Sequence, residues 1–313
     1  MAHRRRIRIL SVPEFRSRFG SVEQCEAHLA RARWPDGFAC PNCQSARATL
    51  LQRRGVYQCM DCRKQTSLTA GTIFHGSRVS LDRWFWAIYR LAQDKKGCSA
   101  MLLSKEIGVS YPTAWLMAHK IRQAMNKANQ PFALKGVVEL DDACLGGMEE
   151  GKQGRPKEGD EGKTGILVAV EVLPSGKPGR AALRPVRSFC MPWVNEFIWN
   201  CLTPGCTVRT DQMRSFQDLP RFGYKHEVLP RGNDPKQANK RLPKVHLLIS
   251  NLKRFILGRH HAIEGKHAER YLGEFNFRFN HRHQESTLFE LLVQVCSRGQ
   301  VITYPQLTSA VRP

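Results

Sequence analysis

Acidic side chains are scarce in this chain of 313 residues: 27 Asp and Glu stand against 49 Lys and Arg, for a formal net charge of +22. That deficit leaves polyanions as the natural partners, nucleic acid first and an anionic membrane surface second. Long apolar runs are also missing. The longest, "GILVAV" and "FWAIY", fall far short of the ~20 residues a spanning helix needs, which excludes a membrane-spanning helix. The beginning, "MAHRRRIRILSVPEFRSRFG", is basic but has no apolar h-region, so no signal peptide is read. The expected location is cytoplasmic, and nucleoid-associated if the host is a prokaryote. Internal repeats and low-complexity tracts are absent. So is an even cysteine count: eleven cysteines in an intracellular chain argue against a disulfide framework. Seven of them (Cys25, Cys98, Cys144, Cys190, Cys201, Cys206 and Cys296) are scattered and read as reduced, small core hydrophobes.

What is present is enough to fold. With 42% hydrophobic residues the chain can build at least one sizeable core, and its length suits two or three domains. The sequence divides by texture into a Cys- and Arg-rich region, a helical region, and a region where strand-like and helix-like runs alternate. The expected fold class is mixed α/β, with a zinc ribbon over 14–75, a helix-turn-helix region over 80–130 and a mixed-sheet domain over 135–295. The stretch "GMEEGKQGRPKEGDEGKTG", 147–165, is dense in Gly and charge and reads as a mobile surface loop. The tail after Pro305 is expected to dock only a few residues.

Two knuckles, "CPNC" (Cys40, Cys43) and "CMDC" (Cys59, Cys62), are separated by fifteen residues with two strand-like stretches. A hairpin between them gathers four thiolates around one Zn²⁺, and a closed four-thiolate site is structural, with no open position for chemistry. Arg47, Arg53, Arg54, Arg63 and Lys64 surround it and suit a phosphate-facing surface.

From Leu81 the apolar spacing is helical in three segments. Ser99 to Ile107 reads as one helix, Gly108 as its turn, and Ser110 as the cap of a helix with Pro112 in second position. In a helix-turn-helix the start of the second helix enters the major groove: here Tyr111 and Thr113, with Ala114 and Met117 next in line. Lys105, Lys120 and Arg122 are the expected phosphate contacts. The cluster of Trp84, Trp86, Tyr89 and Leu91 reads as core rather than as a stacking platform.

The rare acids gather in "GVVELDDACLGG", 136–147. Strand alternation puts Val138, Leu140 and Asp142 on one face, Val137, Glu139 and Asp141 on the other, and does not choose between Asp141 and Asp142. Carboxylates at strand ends make a hard oxygen site for Mg²⁺, and two such ions about 3.5–4 Å apart can drive phosphodiester chemistry. A second carboxylate, Asp211, ends the strand-like 207–210; an Asp in that place also suits a helix N-cap. In "KVHLLISNLKRFILG", 244–258, Val245, Leu248, Ile249, Leu252 and Ile256 form a helical stripe. His246 and Lys253, seven residues apart, lie within roughly 20° of one another around the helix, whereas Asn251 points about 140° from His246. His246 and Lys253 can therefore share a site.

With these blocks the chain resembles the DDE insertion-sequence transposases of ISXO type. The resemblance runs over 14–290 and rests on "WPDGFACPNC", "YQCMDCRKQTSLTAGTIF", "VELDDACLGG", "RTDQMRSF", "VHLLISNLKRFILG" and "YLGEFNFRFNHR" in that order. It implies a ribonuclease-H-like catalytic domain after the zinc ribbon. It also implies Asp141 and Asp211 as the first two catalytic acids and His246 in the third place, with Lys253 seven residues on. Asp141, Asp211 and His246 would then hold two Mg²⁺ or Mn²⁺ ions; His at the third place favours the softer Mn²⁺. Two departures stand out: "DDACLGG" lacks the aromatic residue that often follows the first acid, and the third ligand is His where many relatives carry Glu. Glu264 and Asn251 are the alternative third ligands. His260, His261, His267, His281 and His283 read as DNA-facing or surface residues. Tyr271, Phe275, Phe277 and Phe279 read as core, and Arg270, Arg278 and Arg282 as DNA contacts.

The expected partners are double-stranded DNA, as terminal inverted repeats and target, and further copies of the chain on that DNA. Two other classes stay open: a catalytically inactive DNA-binding regulator, and a nuclease of the same fold without strand transfer. Convergence of Asp141, Asp211 and His246 speaks against the first. A joined DNA product speaks against the second.

Overall fold

The computed structural model describes residues 9–95, 97–129, 133–146, 164–229, 241–260 and 263–309. Most of the expected loop at 147–165, His261, and the last residues of the tail lie outside the described residues. The chain divides into two compact units, Met1–Met125 with His283–Thr308, and Asn126–Arg282 with Ser309–Pro313. Among the described residues no helix is long and apolar enough to cross a membrane.

The first unit opens with α1 (Val12–Phe19) and α2 (Val22–Arg33), each started by a reciprocal cap: Ser11 with Glu14 and Ser21 with Gln24. Three short antiparallel strands follow, β1 (Ala48–Leu51), β2 (Val56–Cys59) and β3 (Gln65–Ser67). Next come α3 (Leu81–Gln93), α4 (Ala100–Ile107) and α5 (Tyr111–Ala128). Gly108 takes φ 62° between α4 and α5, a left-handed turn that suits glycine. The Ser110 hydroxyl accepts the Thr113 N–H at 3.4 Å, the expected cap. Trp84, Tyr89 and Leu91 are buried, and Trp86 donates its indole N–H to Glu106 at 2.9 Å.

The sequence pattern carries the second domain as far as residue 295, but α9 (Leu288–Arg298), which follows α6 (Met191–Cys201), α7 (Pro243–Arg259) and α8 (Gly265–Asn280) in the chain, clusters with the first unit. Its Phe289 meets Phe15, Phe19 and Phe85 at centroid distances of 5.6, 5.0 and 5.9 Å. Offset and edge-on aromatic contacts of this kind add about 0.5–1.5 kcal/mol each beyond area burial.

The second unit is built on β4 (Val137–Leu145), β5 (Thr164–Val172), β6 (Pro178–Val186), β7 (Thr207–Thr210) and β8 (Lys225–Val228). The sheet order is β6-β5-β4-β7-β8; β4, β5 and β6 pair antiparallel, whereas β7 and β8 run parallel to β4. This is the expected mixed sheet. Helix α6 (Met191–Cys201) packs its Val194, Phe197 and Ile198 on the face of Val138, Leu140, Leu167 and Val208. Helix α7 (Pro243–Arg259) covers the other face, where Val245, Leu248, Ile249, Leu252 and Ile256 meet Ile166, Val168 and Val170. The expected helical stripe is therefore the buried one. Being covered on both faces is why β5 reads as a continuous apolar run rather than an alternating one.

Helix α8 (Gly265–Asn280) adds Leu272 to the same layer, with Tyr271, Phe275 and Phe279 partly buried against it. Arg270 on this helix and Arg282 just beyond it depart from expectation. Arg270 is buried at 5% exposure, and Arg282 donates to the carbonyls of Phe279, at 2.8 Å, and Pro178. These side chains serve the fold before they serve a ligand. In the first unit, α10 (Tyr304–Thr308) closes the described chain.

Candidate metal centre and DNA-facing residues

In the ribbon, Cys40 Sγ lies 3.5 Å from Cys62 Sγ and Cys43 Sγ 3.5 Å from Cys59 Sγ. All four sulfurs fall within 4.8 Å of one another. A tetrahedron with ~2.3 Å Zn–S bonds places its sulfurs about 3.8 Å apart, so the cage fits a zinc ion. The knuckles are alike in backbone: Gln44 (φ 61°) and Arg63 (φ 59°), each following the second Cys, return N–H bonds of 2.9 and 3.1 Å to Cys40 and Cys59. The Lys64 backbone N–H is the main cause that brings the Cys62 thiol down to about 6, toward the thiolate a metal requires. Arg53, Arg54, Arg63 and Lys64 are exposed around this cage; Arg47, also exposed, is paired with Asp61.

The acidic site begins with strand register. Parallel pairing of β4 with β7 sets Val137 opposite Thr207 and Glu139 opposite Arg209. Two residues further along each strand, Asp141 comes level with Asp211. One carboxylate oxygen from each of Asp141, Asp142 and Asp211 lies within 4.8 Å of the others. Asp141 is 8% exposed and Asp211 9%. The Asp142 N–H donates to Asp141 Oδ1 at 2.9 Å, and Asp211 Oδ1 accepts the Met213 N–H at 2.9 Å, so Asp211 caps its turn as well as facing the cluster.

The third element arrives through a residue that sequence reading passed over. Glu139, 3% exposed, shares the Asp141 face of β4, and its Oε2 accepts the backbone N–H groups of Lys244 and Val245 at 2.7 and 2.9 Å. It thereby caps α7. The next residue on that helix is His246, whose Nε2 lies 3.6 Å from Asp141 Oδ2. Burial lowers the His246 pKa, opposed by the charge of Asp211, and the neutral form is the one that ligates metals. No pattern of spacing could reveal Glu139, because its partners are backbone groups more than a hundred residues away. Glu139→Ala is expected to cost about 1–3 kcal/mol in thermal denaturation, as two helix-end donors lose their acceptor. A variant as stable as wild type would show the cap to be idle.

Three clustered carboxylates are an oxygen-donor set that fits Mg²⁺ or Mn²⁺, and the imidazole leans toward Mn²⁺. Of the two alternative third ligands, Glu264 precedes α8 and pairs with Lys266 at 2.5 Å, outside the cluster, and Asn251 is half-buried on α7. Lys253 is exposed on α7.

The DNA-facing expectations divide. Tyr111 is 48% exposed, Lys105 is exposed and Thr113 half-buried with its hydroxyl 2.9 Å from that of Ser110. Lys120 and Arg122 are corrected: they are 8% and 1% exposed, and Arg122 Nη2 donates to the Cys98 carbonyl at 2.9 Å. Ala114 and Met117, at 0% and 2%, are core and not groove readers. Burial lowers the Lys120 pKa, the opposite of what a phosphate partner would do. Arg122→Ala is expected to cost about 1–3 kcal/mol of stability while the salt dependence of DNA binding stays the same. A slope shallower by about one would return Arg122 to the interface.

An ISXO2-like transposase domain model matches residues 133–280, and a transposase zinc-ribbon domain model matches 20–65. An uncharacterized protein in transposable element ISH50 of Halobacterium salinarum is 29% identical over 218 residues, covering 64% of this chain and 71% of that protein. Among solved structures, a pre-cleavage Mos1 transpososome aligns at 14% identity and a TM-score of 0.26, over 69% of this chain and 79% of that one, a superposition too loose to bear on the fold.

Proposed function

Because the chain belongs to the ISXO2-like transposase family, we propose that it is a DDE-type transposase. On this reading it binds the terminal inverted repeats of its element, cleaves their 3′ ends and joins those ends to target DNA. One observation carries the reading: Asp141, Asp142 and Asp211 bring carboxylate oxygens within 4.8 Å of one another, with His246 Nε2 3.6 Å from Asp141.

Asp141 and Asp211 would hold two divalent ions, with Asp142 in reach and His246 offering a nitrogen lone pair. Such ions, when bound, supply the Lewis acidity that activates water or a 3′-OH and offsets charge on the leaving oxygen. Asp141 is held midway along β4 by the sheet ladder and Asp211 directly follows β7, so their separation needs no reorganisation when DNA arrives. Glu139 anchors the start of α7 and so sets His246 against Asp141. Lys253, exposed on the same helix, is assigned to a DNA phosphate. Tyr111, Thr113 and Lys105 are assigned to the terminal repeat, and the ribbon to phosphate contacts beside it. Two ends must be held together for joining, which calls for more than one copy of the chain on DNA.

The test uses duplex DNA carrying the element's own ends, labelled at the 3′ strands, with Mg²⁺ or Mn²⁺. The expected result is metal-dependent nicking at the repeat boundary followed by a slower-migrating joined product. Nicking without joining would make the protein a nuclease. Tight end binding with neither product in either metal would make it a DNA-binding regulator.

A further inference from the structure

On the reading that this chain acts on DNA ends, we propose that a cavity beside Asp211 receives one unstacked nucleobase next to the scissile phosphate. The cavity, about 300 Å³, is walled by Asp211, Gln212, Met213, Gln217, His226 and Val228. Asp211 directly follows β7 and Val228 ends β8, so the opening lies at the carboxyl ends of two adjacent parallel strands. Open α/β sheets place ligands in that position, where strand ends leave a crevice. Its volume is at the low end of the ~300–1,000 Å³ of small-ligand sites, room for a single planar heterocycle.

The lining selects the ligand class. Met213 and the 46%-exposed Val228 give apolar surface to the flat faces of a ring. Gln212 and Gln217 each bring a carbonyl acceptor and an amide donor, the pair that reads a base edge. His226 is held by Thr210, whose Oγ1 lies 2.8 Å from its Nε2, and so gives a fixed wall. None of the six lining residues is Lys or Arg, although the chain has 49 of them. A phosphate subsite would recruit those cations; a base subsite has no use for them. A paired base cannot enter, so the nucleotide must leave the stack, as it does in enzymes that act on single bases. Seating that base would fix the adjoining phosphate against Asp211.

The experiment places 2-aminopurine, which brightens when it unstacks, at each nucleotide flanking the cleavage position of a terminal-repeat duplex. Control duplexes carry it deep inside the repeat. Ca²⁺ replaces Mg²⁺, and end binding is followed separately by gel shift. The wild-type protein is expected to give a several-fold rise at one flanking position and none at the internal control. Val228→Phe, which narrows the mouth from an exposed β-strand site tolerant of aromatics, and the double change Gln212→Ala with Gln217→Ala should abolish the rise while retaining the gel shift. A gel shift with no rise at either flank overturns the subsite and leaves the transposase reading intact. A rise that survives both variants means the base goes elsewhere, which also overturns it. Absence of any end binding overturns the transposase reading, and the subsite with it.

Discussion

Asp141→Ala and Asp211→Ala should each lower end cleavage by ~10²–10³-fold, the scale reached when a single charge-stabilising group leaves a preorganised site. Asp141 sits midway along β4 and Asp211 just past the end of β7, levelled by the β4–β7 register, and Asp142 beside them already has its own place in the cluster. The loss should fall on turnover and not on folding. Three carboxylates whose oxygens lie within 4.8 Å repel one another in the absence of cations, so Asp141→Ala should hold or raise the melting temperature measured in chelator, whereas Asp211→Ala also gives up the Met213 N–H cap, which offsets that gain. End binding, which rests on the basic surface, should persist. Asp142→Ala is expected to be milder than either, because Asp142 is less buried and the hydrogen bond its backbone N–H gives to Asp141 Oδ1 survives the change. Cleavage above a tenth of wild type in either principal variant would remove that carboxylate from the metal centre.

The second large effect is expected on removing a zinc ion held by the four ribbon thiols. Strands β1, β2 and β3 have only 4, 4 and 3 residues, and their burial patterns include just two buried positions, one of them the ligand Cys59. So thin a core cannot offset the entropy of ordering the module. Structural zinc supplies about 10–16 kcal/mol in comparable small modules at neutral pH, enough to decide between folded and unfolded. Chelation, or Cys40→Ser at a position with 0% exposure, should therefore abolish amide-exchange protection across β1–β3 and weaken DNA binding. Protection in β4–β8 should remain. Amides of β1–β3 that stay protected after chelation would show that the ribbon stands without its metal.

How far the sequence announces this arrangement depends on the range of the interactions. The knuckles, the cap at Ser110 and the Gly108 turn are local, and short-range chemistry predicts them. The α7 stripe is legible for the same reason, because the helical period fixes which side chains share a face. Asp141 and Asp142 could not be separated by strand alternation, and the structure explains why: both carboxylates reach the cluster that Asp211 completes. That cluster rests on the β4–β7 register, a pairing across about seventy residues that no local pattern records. Glu139 was invisible for a related reason, since its partners are the backbone donors of α7. Lys120 and Arg122 misled because positive charge in a helix usually means solvent. Yet α5 also buries Ala114, Met117, Ala118, Ile121, Ala124 and Met125, so the helix is covered over most of its circumference and its basic residues go in with it.

The central claim, that the rare acids of this basic chain form a divalent-metal centre, is tested most directly by anomalous diffraction from crystals soaked in Mn²⁺. Anomalous density is expected between Asp141 and Asp211, within bonding distance of both carboxylates, and should disappear in Asp211→Ala crystals. Mn²⁺ bound elsewhere, for example at Glu264, with no density between Asp141 and Asp211 at saturating concentration, would contradict it.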